Sequence, residues 1–305
     1  MPASSIEPQK RTEPPTMTDR IDAHHHLWHY DKQEHDWITA GMETIARDFT
    51  VTDLQAELAP REITGSIVVQ ACQTLRETEW LLDLAADSPL IRGVVGWAPI
   101  ADRSLPKVLE ALKAHKKLKG LRHVIQAEPD DEFILRSDFN AGIGALAGSG
   151  LVYDILIYER HLPAAMKFVD RHPEQIFVLD HLAKPRIKEQ LLEPWRTSLF
   201  ELAKRENVYC KLSGMVTEAN WGNWSAADLR PYADAALEAF GPSRLMFGSD
   251  WPVCLLACSY QSWMETVTGF LRELSRAEQN LVFGGVARKV YSLSAPEAAE
   301  RARRA

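Results

Sequence analysis

Eight short apolar segments recur along the chain, and each is followed by a segment with helical periodicity. The apolar segments are rich in Val, Ile, Leu and Phe with little polar alternation, which is typical of strands covered on both faces. The pattern therefore predicts eight strands separated by amphipathic helices. The predicted strands begin at Ile21, Ser66, Gly93, Leu118, Val152, Ile176, Val208 and Leu245.

Start and stop signals support several of the intervening helices. Thr52 and Gln55 form a capping-box pattern at one helix start, and Ser275 and Glu278 form another. An alanine-rich stripe with helical spacing stops at Gly241, which is a typical helix end.

The alternation of strands and helices predicts an α/β fold, the (β/α)8 or TIM barrel. A doubly wound open sheet is the structural alternative, but it usually has a Gly-rich phosphate turn after its first strand. This chain has His24, His25 and His26 at that place. The barrel is the better match to the pattern.

The barrel is expected to occupy residues 19–295. The segment 1–18 is rich in Pro, Ser, Thr and charge, which predicts a disordered tail in which Met17 is an alternative start. Residues 296–305 are expected to form a flexible C-terminal tail.

Composition narrows the possible partners. The 305 residues carry a formal net charge of −7 without a basic cluster, which argues against nucleic acid or an anionic membrane as partner. No apolar run approaches the roughly 18 residues of a membrane helix. Four scattered cysteines form no disulfide or zinc framework and favour a cytoplasmic protein. We expect a small-molecule partner, whereas the helix faces leave the oligomeric state open.

Polar side chains close several of the predicted strands, where the reactive groups of a barrel lie. Residues two apart on a strand point the same way, so His24 and His26 can face the mouth together. His25 is then a hydrogen-bonded structural residue on the other face. His181 and Asp250 arrive at the same mouth from the sixth and eighth strands.

Three imidazoles and one carboxylate suit a divalent ion, with zinc as the best match and one position left for water. The ligands would be His24, His26, His181 and Asp250. Such an ion would polarise a carbonyl oxygen and lower the pKa of water, and Asp250 would bind the ion or accept the water proton.

Other strand ends supply candidate substrate contacts. Arg suits planar, bidentate contacts, and aromatic rings can stack on a sugar-like ring. Gln70 and Lys211 are equally balanced between substrate contact and a structural role. The expected substrate-binding residues are Arg122, His123, Tyr153, Lys184, Trp28 and Trp251.

Long motifs distributed in order along the chain resemble one family. They are "RIDAHHHLW", "VVGWAPI", "LKGLRHVIQAEPDDEFILRSDF", "VYDILIYERHLP", "FVLDHLAKP", "VYCKLSGMVTEA" and "RLMFGSDWPVC". From about Arg20 to Leu293 the chain resembles the amidohydrolase-related (amidohydrolase 2) family. The resemblance is closest to its sugar-lactonase group of L-fucono- and L-rhamnono-lactonases, which is related to pyrone-dicarboxylate lactonase. It implies a distorted (β/α)8 barrel of the amidohydrolase type that hydrolyses a cyclic ester.

The resemblance also implies roles for individual residues. The family's strand-one His-x-His falls on His24 and His26, its strand-six His on His181, and its strand-eight Asp, the proton acceptor, on Asp250. Metal-rich members carry a bridging Lys or Glu on strand four and a His on strand five, which this chain lacks. One zinc ion and a metal-free mechanism therefore both stay open, and a two-metal centre is not expected.

Three functions follow from this pattern. The first is a hydrolase that opens a sugar (aldono) lactone to its hydroxy acid, with Asp250 as general base. The second is a metal-dependent decarboxylase of the same superfamily acting on an unsaturated or aromatic acid. The third is a non-catalytic ligand-binding barrel. The motifs "LRHVIQAEPDD" and "LDHLAKP" resemble the lactonase branch and favour the first function.

Overall fold

Eight parallel strands form one sheet in chain order in the computed structural model, which describes residues 19–294. The tails predicted at 1–18 and 296–305 lie outside the described residues. The strands are β1 (Ile21–His25), β2 (Gly65–Val69), β3 (Ile91–Gly96), β4 (Leu118–Val124), β5 (Val152–Leu156), β6 (Phe177–Leu179), β7 (Val208–Leu212) and β8 (Leu245–Phe247).

The sheet closes between β8 and β1 through backbone contacts beyond the end of β8. The backbone N–H of Asp250 donates to the carbonyl of His24 at 2.8 Å, and that of His26 donates to the carbonyl of Trp251 at 2.7 Å. This closure confirms the predicted (β/α)8 barrel, and it ties the segment that follows β8 directly to the histidines at the end of β1.

Helices cover the outside of the barrel. They are α1 (Val51–Leu58), α2 (Leu75–Asp87), α3 (Leu105–Leu112), α4 (Ser137–Leu146), α5 (Leu162–Arg171), α6 (Trp195–Ala203), α7 (Ala226–Phe240), α8 (Tyr260–Phe270), α9 (Arg276–Asn280) and α10 (Val286–Val290). Among the residues described here, no helix has both the length and the apolar character needed to span a bilayer.

The capping predictions have different outcomes. Ser275 and Glu278 form the predicted capping box of α9. The box expected at Thr52 and Gln55 is wrong by two residues, because α1 begins earlier: Thr50 is its N-cap and shares the box with Asp53.

Two apolar layers hold the barrel together. The larger layer lies between the strands and the helices, and it includes most of the buried Leu, Ile and Phe side chains. The smaller layer fills the barrel interior with side chains such as Ile67, Val69, Val152, Val178 and Met246. Alternate residues of each strand enter these two layers, so the strand register decides which polar residues reach the mouth.

Candidate active site

Three imidazoles and one carboxylate meet at the C-terminal end of the barrel. Asp250 Oδ1 lies 3.5 Å from His26 Nε2, 3.7 Å from His24 Nε2 and 3.8 Å from His181 Nε2. The Nε2 atoms of His24 and His26 are 3.3 Å apart. The structure thus brings together the four residues expected at the mouth, which we call the His–Asp cluster.

Irregular backbone positions the members of this cluster. The pairing of β1 with β2 shifts by one residue between Asp22 and His25, which is a β-bulge. Because of this extra residue, Ala23 packs inside the barrel and the next side chain, His24, also faces inward. His26 then shares that face.

A left-handed turn follows β6. The residues from His181 to Lys184 all have φ between 50° and 60°, and Asp250 has φ 55°. Such dihedrals are costly for residues other than glycine and occur mainly where the surrounding structure enforces them. They end β6 and β8 earlier than the apolar pattern predicts and turn His181 and Asp250 into the mouth.

Three members of the cluster, His24, His26 and Asp250, have the donor geometry of a metal site. Tetrahedral zinc with bonds of about 2.0–2.1 Å requires ligand atoms roughly 3.3–3.4 Å apart. His24 Nε2, His26 Nε2 and Asp250 Oδ1 are 3.3–3.7 Å apart, which is close to that requirement, and these residues form one group with ligand atoms within 4.8 Å of one another. His181 Nε2 lies 3.8 Å from Asp250 Oδ1. His24, Asp180 and His181 form a second group with ligand atoms within 4.8 Å of one another. In that group, however, Asp180 is engaged by two basic side chains.

The protonation of the histidines suits ligation. His26 Nδ1 donates to the carbonyl of Val69 at 2.8 Å, which orients the ring with Nε2 directed at the cluster. His181 Nδ1 lies 2.8 Å from Ser213 Oγ, which orients its ring in the same way. Burial lowers the pKa of His181 to about 4 and lowers that of His24 below its ordinary value. Both rings are therefore neutral at pH 7.

A buried ionic network supports the cluster from below. Lys211 Nζ lies 2.5 Å from Asp154 Oδ2 and 3.0 Å from Asp180 Oδ1, and all three side chains are fully buried. Asp180 Oδ1 is also 3.4 Å from His24 Nδ1. The hydroxyl of Tyr291 donates to both oxygens of Asp154, at 2.8 and 2.9 Å. This network fixes the far side of the His24 ring.

Arg122 joins the network to the mouth. Its Nη1 pairs with Asp180 Oδ2 at 3.0 Å and lies 3.5 Å from His24 Nε2. Its Nη2 donates to the backbone carbonyl of Gln70 and, at 3.0 Å, to Gln70 Oε1. Gln70 and Lys211 thus lie beneath the mouth and hold other side chains, and Arg122 is the member that reaches the cavity.

A cavity of about 660 Å³, which we call the mouth cavity, opens above the cluster. Of the predicted site residues it is lined by His26, His181, Asp250, Arg122 and Lys184. Loop residues missed by the sequence reasoning complete its wall, namely Glu34, Asp36, Trp37, Gln73, Gln126, Tyr158, Glu218 and Trp221.

Two predicted contacts, His123 and Tyr153, face away from the mouth. Arg122 on β4 lies opposite Asp154 on β5 in the strand register, and both side chains point into the barrel. The adjacent residues, His123 and Tyr153, therefore point outward. His123 stacks on Phe133 with ring centroids 5.2 Å apart, and Tyr153 is completely buried in the layer under the helices. The expectation that these two residues bind substrate is corrected by the register.

Two predicted stacking residues, Trp28 and Trp251, are also buried under the loops. Trp28 is 1% exposed and Trp251 is 2% exposed, and both pack edge-on against Phe49. They lie buried beneath the loops and do not line the mouth cavity. The indoles that do line it belong to Trp37 and Trp221.

His25 differs from its prediction in one respect. It is fully buried and lies outside the cluster, as expected from its parity in β1. Its two ring nitrogens have no hydrogen-bond partner within residues 19–294, so the expected hydrogen bond is absent there. Burial lowers the pKa of His25 to about 3, which keeps the ring neutral.

Comparisons with known proteins agree with this architecture. The sequence profile of the family described as "Amidohydrolase" matches residues 21–293. An L-fucono-1,5-lactonase from Burkholderia multivorans is 43% identical over 290 residues, covering 91% of this chain and 97% of that protein. An L-fucono-1,5-lactonase from Burkholderia ambifaria is 36% identical over 293 residues, covering 94% and 100%.

A solved structure extends the similarity to three dimensions. The crystal structure of an amidohydrolase from Burkholderia multivorans with bound zinc superposes with a TM-score of 0.87 at 43% identity. The match covers 90% of this chain and 100% of that one. By profile, sequence and fold, the chain belongs to the amidohydrolase family.

Proposed function

We propose that this protein hydrolyses a sugar lactone, with L-fucono-1,5-lactone as the first candidate substrate. One observation carries the proposal: two relatives named L-fucono-1,5-lactonase match nearly their whole length, at 43% and 36% identity. A profile match alone would support only the family, which contains many reactions. Identity at this level over the whole barrel supports a shared reaction class.

The mouth cavity suits a small polyhydroxylated ring. Its volume of about 660 Å³ lies within the usual range for small-molecule sites. Carboxylates and amides on its wall can accept and donate hydrogen bonds to sugar hydroxyls. Trp37 and Trp221 offer apolar faces on which a ring can pack.

Asp250 is the proposed proton acceptor. Burial alone would raise the pKa of its carboxyl, but His181, His26 and His24 outweigh burial and lower that pKa below its ordinary value. The carboxylate takes a proton from a water molecule as the water oxygen attacks the lactone carbonyl carbon. When the ring C–O bond breaks, the leaving oxygen takes the proton back from Asp250, which yields the hydroxy acid.

Arg122 is the proposed donor for the negative charge that develops on the carbonyl oxygen. Preorganised cations and N–H donors at such a position lower the barrier because they need no reorganisation during the reaction. Asp180 and Gln70 already hold the guanidinium in place at the cavity floor. It is therefore oriented before substrate binds.

The His–Asp cluster is also the proposed site of one zinc ion, with His24, His26, His181 and Asp250 as ligands. A bound ion of this kind supplies Lewis-acid polarisation of the carbonyl and a lower pKa for water. The bound zinc in the similar Burkholderia multivorans structure supports this assignment. Elemental analysis and the thermal midpoint before and after chelation test it without reference to activity, because a ligand of the native state raises that midpoint.

The function is tested by acid release in a weakly buffered solution of aldonolactones, with spontaneous hydrolysis subtracted. Five- and six-membered lactones, including L-fucono-1,5-lactone, form the panel. We expect saturable hydrolysis of at least one member. A folded sample that hydrolyses none of them, or that releases carbon dioxide from an aromatic acid without ring opening, contradicts the proposal.

A further inference from the structure

Glu218 is a carboxylate on the wall of the mouth cavity that the mechanism above does not use. It ends a short 3-10 turn that follows β7, and its side chain is 22% exposed. It also lines a neighbouring side cavity of about 850 Å³. Glu218 therefore stands where the two cavities meet, on the wall of the same cavity that His26, His181 and Asp250 line.

The carboxylate of Glu218 has free capacity to accept hydrogen bonds. Its ion-pair partner within residues 19–294 is Lys184, and Lys184 Nζ lies 3.6 Å from Glu218 Oε1. This separation is longer than a hydrogen bond, and Lys184 also lies over the ring of Tyr158. A hydroxyl of a bound ligand can therefore donate to Glu218 without displacing an existing partner.

The charge around Glu218 is unfavourable for a second anion. Burial raises the pKa of Glu218, Lys184 opposes this, and the negative charges of Asp250 and Glu189 raise the pKa further, so these carboxylates interact with Glu218. The other cation on the wall, Arg122, is already paired with Asp180. The acidic side chains of the mouth cavity are Glu34, Asp36, Glu218 and Asp250, against the two basic side chains Arg122 and Lys184. A zinc ion held by the His–Asp cluster would offset the charge of Asp250, and Glu34, Asp36 and Glu218 are then the carboxylates that oppose a second anion.

We propose that Glu218 determines specificity by accepting a hydroxyl hydrogen bond from a neutral sugar lactone and repelling lactones that carry a carboxylate. The inference rests on the proposed function and names its substrate class. A charge-assisted hydrogen bond is about twice as strong as a neutral one, so the carboxylate favours hydroxyl-rich ligands. Like charges brought together in a confined site supply the rejection of anions.

The test compares D-glucono-γ-lactone with D-glucaro-γ-lactone. The first carries a hydroxymethyl group, and the second carries a carboxylate on the same carbon. Dissociation constants are measured by tryptophan fluorescence and as inhibition constants from initial rates of L-fucono-1,5-lactone hydrolysis. We expect the wild-type protein to prefer the neutral lactone. Glu218→Gln should reduce that preference about tenfold by weakening the neutral ligand and admitting the anionic one.

Two further variants sharpen the experiment. Glu174→Gln makes the same charge change at an exposed position outside both cavities, and it should leave the preference unchanged. Lys184→Met removes the cation beside Glu218 and should increase the preference for the neutral lactone. This opposite sign tests the inference even if Glu218→Gln fails to fold.

Three results would overturn the inference. They are a wild-type protein that binds both lactones equally, a Glu218→Gln variant with unchanged preference, and a Lys184→Met variant whose preference does not rise. Loss of the proposed function would look different, because the wild-type protein would then hydrolyse no neutral lactone. The fluorescence titration needs no turnover and separates the two failures.

Discussion

Removing the ammonium group of Lys211 is the sharpest test of the network beneath the site. In Lys211→Met the Asp154 carboxylate loses a partner at 2.5 Å and Asp180 loses one at 3.0 Å, all in fully buried surroundings. Breaking a buried ion pair costs about 3–5 kcal/mol. Asp180 keeps Arg122, and Asp154 keeps the hydroxyl of Tyr291, so we expect a loss near the lower limit, about 3 kcal/mol.

The assay is thermal unfolding monitored by calorimetry. At about 2.1 cal/mol/K of unfolding entropy per residue, about 1 kcal/mol lowers the midpoint of a chain of this size by roughly 1.5–2 °C, so Lys211→Met should unfold about 4.5–6 °C below wild type. Adding Asp154→Asn removes the uncompensated charge and should recover part of that loss. Lys188→Met, at an exposed position, is the control and should change little.

The sign of the pH dependence follows from Asp154. Burial raises its pKa to about 6 even though Lys211 opposes this, and without Lys211 that pKa rises further. A carboxyl whose folded pKa exceeds its unfolded pKa binds more protons when folded, so stability falls as pH rises through that window. The deficit of Lys211→Met should therefore be smaller at about pH 5 than at about pH 8. A midpoint within about 2 °C of wild type, or no recovery in the double variant, would refute this reasoning.

The remaining predictions concern the site and one helix. A Cβ at Gly214, where φ is 65°, would lie 2.5 Å from His181 Nδ1, so Gly214→Ala should lower kcat/KM about 100-fold in a lactonase assay. Gly222→Ala, on the same loop with open space around the added Cβ, should leave kcat/KM unchanged. Trp221→Ala should raise KM about tenfold with kcat nearly unchanged, because an indole that packs on the lactone ring would stabilise the ground and transition states alike. Ser275→Ala should cost about 1 kcal/mol of unfolding free energy by removing the cap of α9.

Much of the fold follows from the sequence because each strand is marked by a continuous apolar run. The polar residues that close β1, β6 and β8 were identifiable for the same reason: charged or imidazole side chains are costly at the end of a buried strand unless a site uses them. His24, His26, His181 and Asp250 therefore lie together as expected. The β-bulge that turns His24 inward left no signal in the apolar pattern, since Ala23 is too small to mark a face and Asp22 and His25, on either side of the bulge, are polar.

The residues predicted wrongly depend on register and loop paths. Arg122 and His123 are equally polar neighbours at the end of β4, and only the pairing with β5 decides which one faces inward. Trp28 packs against Phe49, which comes from a loop whose course the sequence does not fix. Asp180 was visible beside His181, but its role required knowledge that Arg122 and Lys211 converge on it.

Turnover of L-fucono-1,5-lactone by wild type and by Asp250→Asn tests the central claim most directly. Acid release is recorded for both proteins at equal concentration, and circular dichroism verifies that the variant is folded. Loss of a general base lowers the rate about 10²–10⁴-fold. We therefore expect kcat of Asp250→Asn to lie at least about 100-fold below that of wild type. A folded variant that retains more than about one tenth of the wild-type rate would contradict the assignment of Asp250 as the proton acceptor.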